Sequence, residues 1–413
     1  MRRILGSVDL GSDTIKLVVA EIINNQIKIL CAINEQSRGI KNGLIINADD
    51  AVFCLKKAFK RAEELLGVKV NKIIANISSI NLEIIKGEGT NTISGEDSII
   101  SGNDIVRILQ TSCYNKIPDN LELINVLPIS YKVDNKIVRD PRGMQGKKLS
   151  VKSLLIATPK KNVYSVVKCL EKCNVKVIDI TLGSIADYST IKNKYTEENT
   201  GIIVNMGKDK TTLSAFTKGI LFKEKIIDAG GFNLDNDISF IYKLKLEDSK
   251  MLKEKLALAN KYNSNPKEIE TIINKLGEKV EINQYELTEI CSSRLDEILN
   301  LIKKEINYLT KKEISYIIFT GGTSEFKDFP IEIDSIFNEK AKVDELKIIG
   351  ARSNIYSTSI GMIKYFNEKL NLRDREYSIF DEEDIETISS ENTKVNITND
   401  SIIGKVFGYF FDN

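Results

Sequence analysis

Ten residues near the N-terminus, VDLGSDTIKL (8–17), return without a gap as VNMGKDKTTL (204–213), so that Val8 aligns with Val204, Gly11 with Gly207, Asp13 with Asp209 and Leu17 with Leu213, at an offset of 196 residues (204 − 8). The flanks repeat as well. The β-branched runs ILGSVDL, TIKLVVAEI and QIKILCAI read as three consecutive strands, and IIVNMGK, TTLSAF and GILFKEKII repeat that order. Each triplet leads into an amphipathic helix: DDAVFCLKKAFKRAEELL (49–66), with an aspartate start and a stop at Gly67, and NLDNDISFIYKL from about residue 233. A period this long excludes a solenoid and suits two fused copies of one domain. The 413 residues allow two such lobes.

The copies carry different additions. The first lobe occupies 1–82 and 159–198, interrupted at 83–158 by a segment with its own strand-like runs (LELINVLPISYKV, KKLSVKSLLIAT) and a short helix, DIVRILQTSCY. That segment reads as a small inserted α+β domain. The second lobe, 199–370, has a charged, helical excursion at about 245–285. In residues 371–400, nine acidic and three basic side chains and little apolar periodicity predict a disordered linker.

Composition removes whole classes of chemistry. The chain has no histidine, which excludes Ser-His-Asp triads, Cys-His pairs and His-containing zinc sites. Its 59 basic residues nearly balance 58 acidic ones, which argues against a dedicated nucleic-acid binder. Of the six cysteines only Cys169 and Cys173 stand close in sequence, and buried thiols in a reducing compartment are expected. No apolar run approaches the ~18 to 20 residues a bilayer crossing needs, so a cytosolic protein is expected.

Four glycine turns follow four apolar strands. In VDLGSDT, Gly11 permits a tight turn, Ser12, Asp13 and Thr14 complete the loop with backbone N–H and hydroxyl donors for an anion, and Lys16 offers a cation. Asp9, ending its strand at the same point, suits a hydrated Mg2+ beside phosphate oxygens. Alone, such a stretch is equally an ordinary hairpin. Gly207 and Lys208 make the second turn, Gly230 and Gly231 precede a helix start, and Gly321, Gly322 and Thr323 follow the strand SYIIF, where paired glycines let a backbone approach a ring or ribose.

In that order the turns resemble the actin-like ATPase superfamily, and within it the FtsA family of bacterial cell division. The likeness rests on the insert's place in the first half, on IPDNLELINVLPISYKVD and GMQGKKLSVKSLLIAT within it, on KCLEKCNVKVIDITLGSIADYS, and on YSTSIGMIKY at 356–365. It implies a duplicated actin-like (ribonuclease H-like) α/β fold with an FtsA-type (SHS2-like) insert, ATP and Mg2+ as ligands, and at most weak ATPase activity. The resemblance assigns Asp9, Gly11, Ser12 and Thr14 to a first phosphate hairpin and Gly207 with its neighbours to a second. Gly230 and Gly231 would face phosphates and ribose, Gly321, Gly322 and Thr323 would close over adenosine, and Lys253 and Glu254 of LKEKLAL would contact base and ribose. No catalytic residue is assigned. Family members usually read D-I-G-G-G where this chain has Asn205 to Asp209, so ATP binding is expected to persist while most of the capacity to drive hydrolysis is lost.

The last thirteen residues, SIIGKVFGYFFDN (401–413), gather Ile402, Ile403, Val406, Phe407, Phe410 and Phe411 on one half of a helical wheel. With only Lys405 as a basic residue, such a segment suits an interfacial membrane helix held by apolar insertion. The likeness then implies a peripheral protein at the division septum that self-associates and tethers FtsZ to the inner membrane surface beside downstream division proteins. The alternatives are an adaptor resembling the pilus-platform protein PilM and a kinase- or phosphatase-type enzyme of the same superfamily.

Overall fold

The computed structural model describes residues 2–94, 97–373 and 375–393. Two five-stranded sheets share one plan. The first runs Lys176–Leu182, Lys72–Ile77, Arg2–Leu10, Thr14–Ile23, Gln26–Gln36, and the second Ala341–Val343, Tyr316–Thr320, Thr200–Met206, Thr211–Thr217, Ile220–Ile227. In both, the first three strands are parallel and the last two return antiparallel. The echo extends to the hydrogen-bond register: Asp9 faces Lys16 and Leu10 faces Ile15 in the first hairpin, and Asn205 faces Thr212 and Met206 faces Thr211 in the second. Each partner is displaced by the same 196 residues (205 − 9, 212 − 16). The two lobes are copies at the level of the backbone.

Central strands are covered on both faces, which explains their nearly continuous apolar runs. Every residue of Arg2–Leu10 except Arg2 is buried. The helix Ala48–Leu66 lays Val52, Leu55, Phe59 and Ala62 on the first sheet. Its start differs from expectation by a residue type: Asn47 is the cap, accepting from the backbone N–H groups of Asp49 and Asp50, while Gly67 ends it in the left-handed region at φ 72°. In the second lobe the helix Gln284–Leu309 packs against the sheet through Leu295, Leu299 and Ile302.

The insert is a four-stranded antiparallel sheet, Glu83–Thr92, Lys148–Pro159, Leu121–Val133 and Lys136–Val138 in spatial order, with the helix Gly102–Cys113 across it. Ser101 and Asp104 start that helix with a reciprocal capping box. The lobes meet through helices Gly183–Ile191 and Ser357–Leu372, which cross at Gly361, where a Cβ would lie 1.9 Å from the Ala186 carbonyl oxygen. Only glycine fits there.

Two sequence expectations are corrected. The excursion at 245–285 is not wholly helical: after the helix Leu246–Leu256 comes a hairpin, Ile269–Ile273 with Lys279–Asn283, turning at Gly277 with φ 80°. Alternation in IETII and KVEIN outweighs the charge that suggested helix. Residues 375–393, expected within a disordered linker, are ordered: Ile379 and Phe380 are buried in the first lobe's core and Glu382–Thr393 is helical. A few well-spaced apolar side chains suffice there despite the acidic composition. The amphipathic segment 401–413 lies outside the described residues.

Candidate functional site

Both hairpins open onto one cleft between the lobes, of about 810 Å3. Asp9, Gly11, Ser12, Asp13, Thr14 and Lys16 line it from the first lobe, and Gly207, Lys208, Gly231, Lys253, Glu254, Gly321, Gly322 and Thr323 from the second. Gly230 does not line it. Instead a Cβ on Gly230 would sit 2.4 Å from the Gly207 carbonyl oxygen, and the N–H groups of Gly231 and Phe232 donate to the carbonyls of Gly207 and Lys208 at 3.0 and 2.9 Å. This glycine pair therefore braces the hairpin from behind, and the amides of Gly231 and Phe232 are spent on protein carbonyls. Thr323 acts alike, its hydroxyl donating to the Gly207 carbonyl at 3.0 Å. Thr211, which faces Met206 in the second hairpin, turns its hydroxyl to the Ala229 carbonyl.

Charge in the cleft is arranged in pairs. Asp9 accepts from Asn76 Nδ2 at 2.6 Å and lies 3.4 Å from Lys16 Nζ, its register partner. Asp13 lies 2.7 Å from Lys250 and 3.4 Å from Lys208, so the first hairpin's tip is bound by two lysines of the second lobe. Burial raises the Asp13 pKa, but hydrogen bonding and attraction to Lys250, then Lys208, outweigh it and hold the carboxyl below its ordinary value. Lys253 lies 2.6 Å from buried Asp235 and donates to the Gly231 carbonyl. Glu254 is more exposed, 3.8 Å from Lys250.

The second hairpin reaches across the cleft. Lys210 Nζ donates to Ser78 Oγ at 2.9 Å, and Asp209 accepts from the N–H of Asn42 at 3.1 Å. Burial pulls the Lys210 ammonium down to about 8, against attraction from Glu224, Asp228, Asp209 and Asp9. Asn42 and Gly43, both at positive φ, form the turn of a two-residue hairpin loop whose next N–H, on Gly43, donates to Ser12 Oγ. One turn thus touches both hairpins.

Beneath them sits a residue that sequence reading passed over. Asp187 lies on the helix Gly183–Ile191 and lines the cleft. It accepts from Thr358 Oγ1 and from Asn205 Nδ2, each at 2.6 Å. Burial pushes its carboxyl up to about 7; the two hydrogen bonds oppose the shift, and Asp9 and Asp344 add to it. Position 205 lacks a carboxylate, yet one stands beside it. The available signal was an aspartate in GSIADYSTI, a helix of small and apolar residues that the fold buries. Asn76, Lys250 and the Asn42-Gly43 turn had no motif to mark them.

A family model described as the SHS2 domain inserted in FtsA matches residues 80–157, and one described as cell division protein FtsA matches 202–361. The chain belongs to the FtsA family of cell division proteins. Cell division protein FtsA of Bacillus subtilis (strain 168) is 25% identical over 363 residues, spanning 87% of this chain and 82% of the relative. FtsA of Enterococcus hirae is likewise 25% identical over 87% of this chain and 82% of its own. FtsA of Pseudomonas aeruginosa is 23% identical over 89% and 90%. Among solved structures, a PilM-PilN type IV pilus biogenesis complex matches with TM-score 0.60 at 10% identity, covering 90% of this chain and 99% of that one. MreB5 of Spiroplasma citri bound to ADP matches with TM-score 0.55 at 12% identity, covering 90% and 99%. These structures share the actin-like fold with this FtsA-family chain. Among the described residues no helix is long and apolar enough to cross a membrane.

Proposed function

We propose that this FtsA-family chain binds ATP in the interlobe cleft and uses it to set the relation of its lobes while acting as a self-associating adaptor between FtsZ and the membrane. The observation that carries the nucleotide reading is the pair of hairpins, equal in register, facing one cleft with Lys16, Lys208 and Lys210 at their turns. Nucleotide-bound MreB5 of Spiroplasma citri, with the same fold, supports it. The two lobes of this chain already touch through Lys208, Asp209 and Lys210, so a phosphate chain entering there competes with interlobe bonds. Ligand binding then changes closure. Mg2+ fits a place beside Asp9 and Asp187, two carboxylates lining one cleft; with their oxygens taken by Lys16, Asn76, Thr358 and Asn205, these would hold it through its waters. Bound there, it would neutralise phosphate charge.

The tail residues Ile402, Ile403, Val406, Phe407, Phe410 and Phe411 support a peripheral place on the inner membrane surface. The SHS2 insert supports self-association, and membership of the family supports FtsZ and downstream division proteins as partners at the septum. The test is co-sedimentation with liposomes and with purified FtsZ, with and without ATP. ATP-dependent recovery of FtsZ with vesicles is expected, and recovery independent of both tail and nucleotide sinks the reading.

A further inference from the structure

The stretch after the last lobe helix is built into the first lobe. The strand Arg2–Leu10 pairs with its parallel neighbour only at Ser7 and Val8, which leaves its first half open on that edge. Ile379 fills the gap: its N–H donates to the Ile4 carbonyl at 2.9 Å, and its side chain lies over Gly6, where a Cβ would stand 3.0 Å from Ile379 Cδ1. Phe380 and Ile388 are buried in the same core, and Tyr377 meets Phe366 edge to face at 5.9 Å. Buried Arg3 fastens the start of the stretch, donating to Asn367 Oδ1 at 2.6 Å and to the Arg375 carbonyl at 2.9 Å.

We infer that residues 375–393 are a strap that fixes the point from which the tail leaves, so that the first lobe, into whose core Ile388 packs near the strap's end, is the lobe held against the lipid surface. This rests on the membrane reading of the tail. With the strap seated, only residues 394–400 separate the body from the segment 401–413. Seven residues span at most about 25 Å, whereas a free chain from 371 to 400 spans up to about 100 Å. The strap thus converts a long leash into a short one and gives the bound molecule an up and a down. Its helix presents Glu382, Glu383 and Asp384 in the first turn. These acidic groups resist close approach to anionic lipid, so the short tether holds the body near while like charge keeps the strap off the headgroups.

The chain contains no tryptophan, which allows single reporters. Ile23→Trp marks the first lobe and Phe240→Trp the second lobe; both positions are exposed. Energy transfer to dansyl-labelled lipid would be measured on vesicles of phosphatidylglycerol and phosphatidylethanolamine, using the full chain with ATP. Severalfold stronger transfer from position 23 than from 240 is expected, and Ile379→Asp, shown by loss of amide exchange protection over 377–388 to have released the strap, should bring the two together. Should that variant not fold, Gly6→Ala, which crowds Ile379 and Ile73 alike, serves with the same readout once exchange shows that the strap has been released. Equal transfer from both lobes with the strap seated, or an asymmetry that persists once exchange shows release, overturns the strap proposal while leaving vesicle binding in place. Absence of vesicle binding in the parent overturns the membrane reading and this proposal with it.

Discussion

Asn205 donates its amide to Asp187 across 2.6 Å, joining the second hairpin to the helix that links the lobes. The amide is what lets one buried carboxyl sit at this point without a second beside it. Asn205→Asp puts two carboxyls at hydrogen-bond distance, of which one must hold a proton. The variant is expected to match the parent below about pH 5 and to lose about 1–3 kcal/mol by pH 8, read by urea denaturation across that range.

Asp187 itself makes stability depend on pH. Its folded value, about 7, lies above the unfolded 3.8, so between those limits the folded state holds the extra proton. Stability contributed by this group is therefore complete below about pH 4 and falls as pH rises through 7, by up to about 4 kcal/mol. Asp187→Asn removes that slope. Thermal melts at pH 5 and pH 8 should differ less in the variant than in the parent.

Lys208 lies between Asp13 of the facing hairpin and the space above Gly207. A cation placed there strengthens ground-state binding more than it speeds a reaction. Lys208→Gly is expected to weaken ATP roughly ten- to hundredfold, corresponding to the ~1.5–3 kcal/mol of a charged hydrogen bond, by titration calorimetry. Single-turnover hydrolysis should be slow in the parent, and brisk turnover would show that a carboxylate at 205 is dispensable.

Lys253 and Asp235 form a nearly dry ion pair, the side chains 13% and 4% exposed. Removing one member strands the other's charge, so Lys253→Met should cost about 3–5 kcal/mol, whereas Lys253→Met with Asp235→Leu should recover much of the loss. Chemical denaturation of the two variants checks both. A position that merely touched ribose would show no such recovery.

Phe407→Glu should abolish vesicle co-sedimentation while leaving nucleotide affinity and the melting curve unchanged. Each tail side chain gains less at an interface than the roughly 1.5–3 kcal/mol of full burial, so binding should steepen with self-association as neighbours raise one another's effective concentration. With Lys405 the one basic residue in the segment, added salt should matter little.

The duplication was legible because it is written in strand residues, and strand pairing turns a matched spacing into a matched register: Asp9 with Lys16 returns as Asn205 with Thr212. The cleft's glycines were legible for the same reason. Gly230 was misplaced because a glycine pair before a helix has the same letters whether its amides serve a ligand or a neighbouring carbonyl. Asp187 and the Ile379 strap were missed because each depends on what lies opposite in space, a hairpin amide in one case and an open strand edge in the other. Local pattern carries no trace of either partner.

At Gly361 two helices touch backbone to backbone, with the Ala186 carbonyl where a side chain would otherwise stand. Gly361→Ala must push them apart, and about 1–3 kcal/mol of destabilisation is expected by calorimetry. Side chains beside that contact tie the same two helices together: Thr358 donates to Asp187 at 2.6 Å, and the hydroxyls of Thr190 and Ser357 lie 3.1 Å apart. Backbone contact and side-chain bonds together make this crossing a clamp, so a change in the relation of the lobes has to be taken up where the bonds are fewer and more exposed, at Lys208, Asp209 and Lys210.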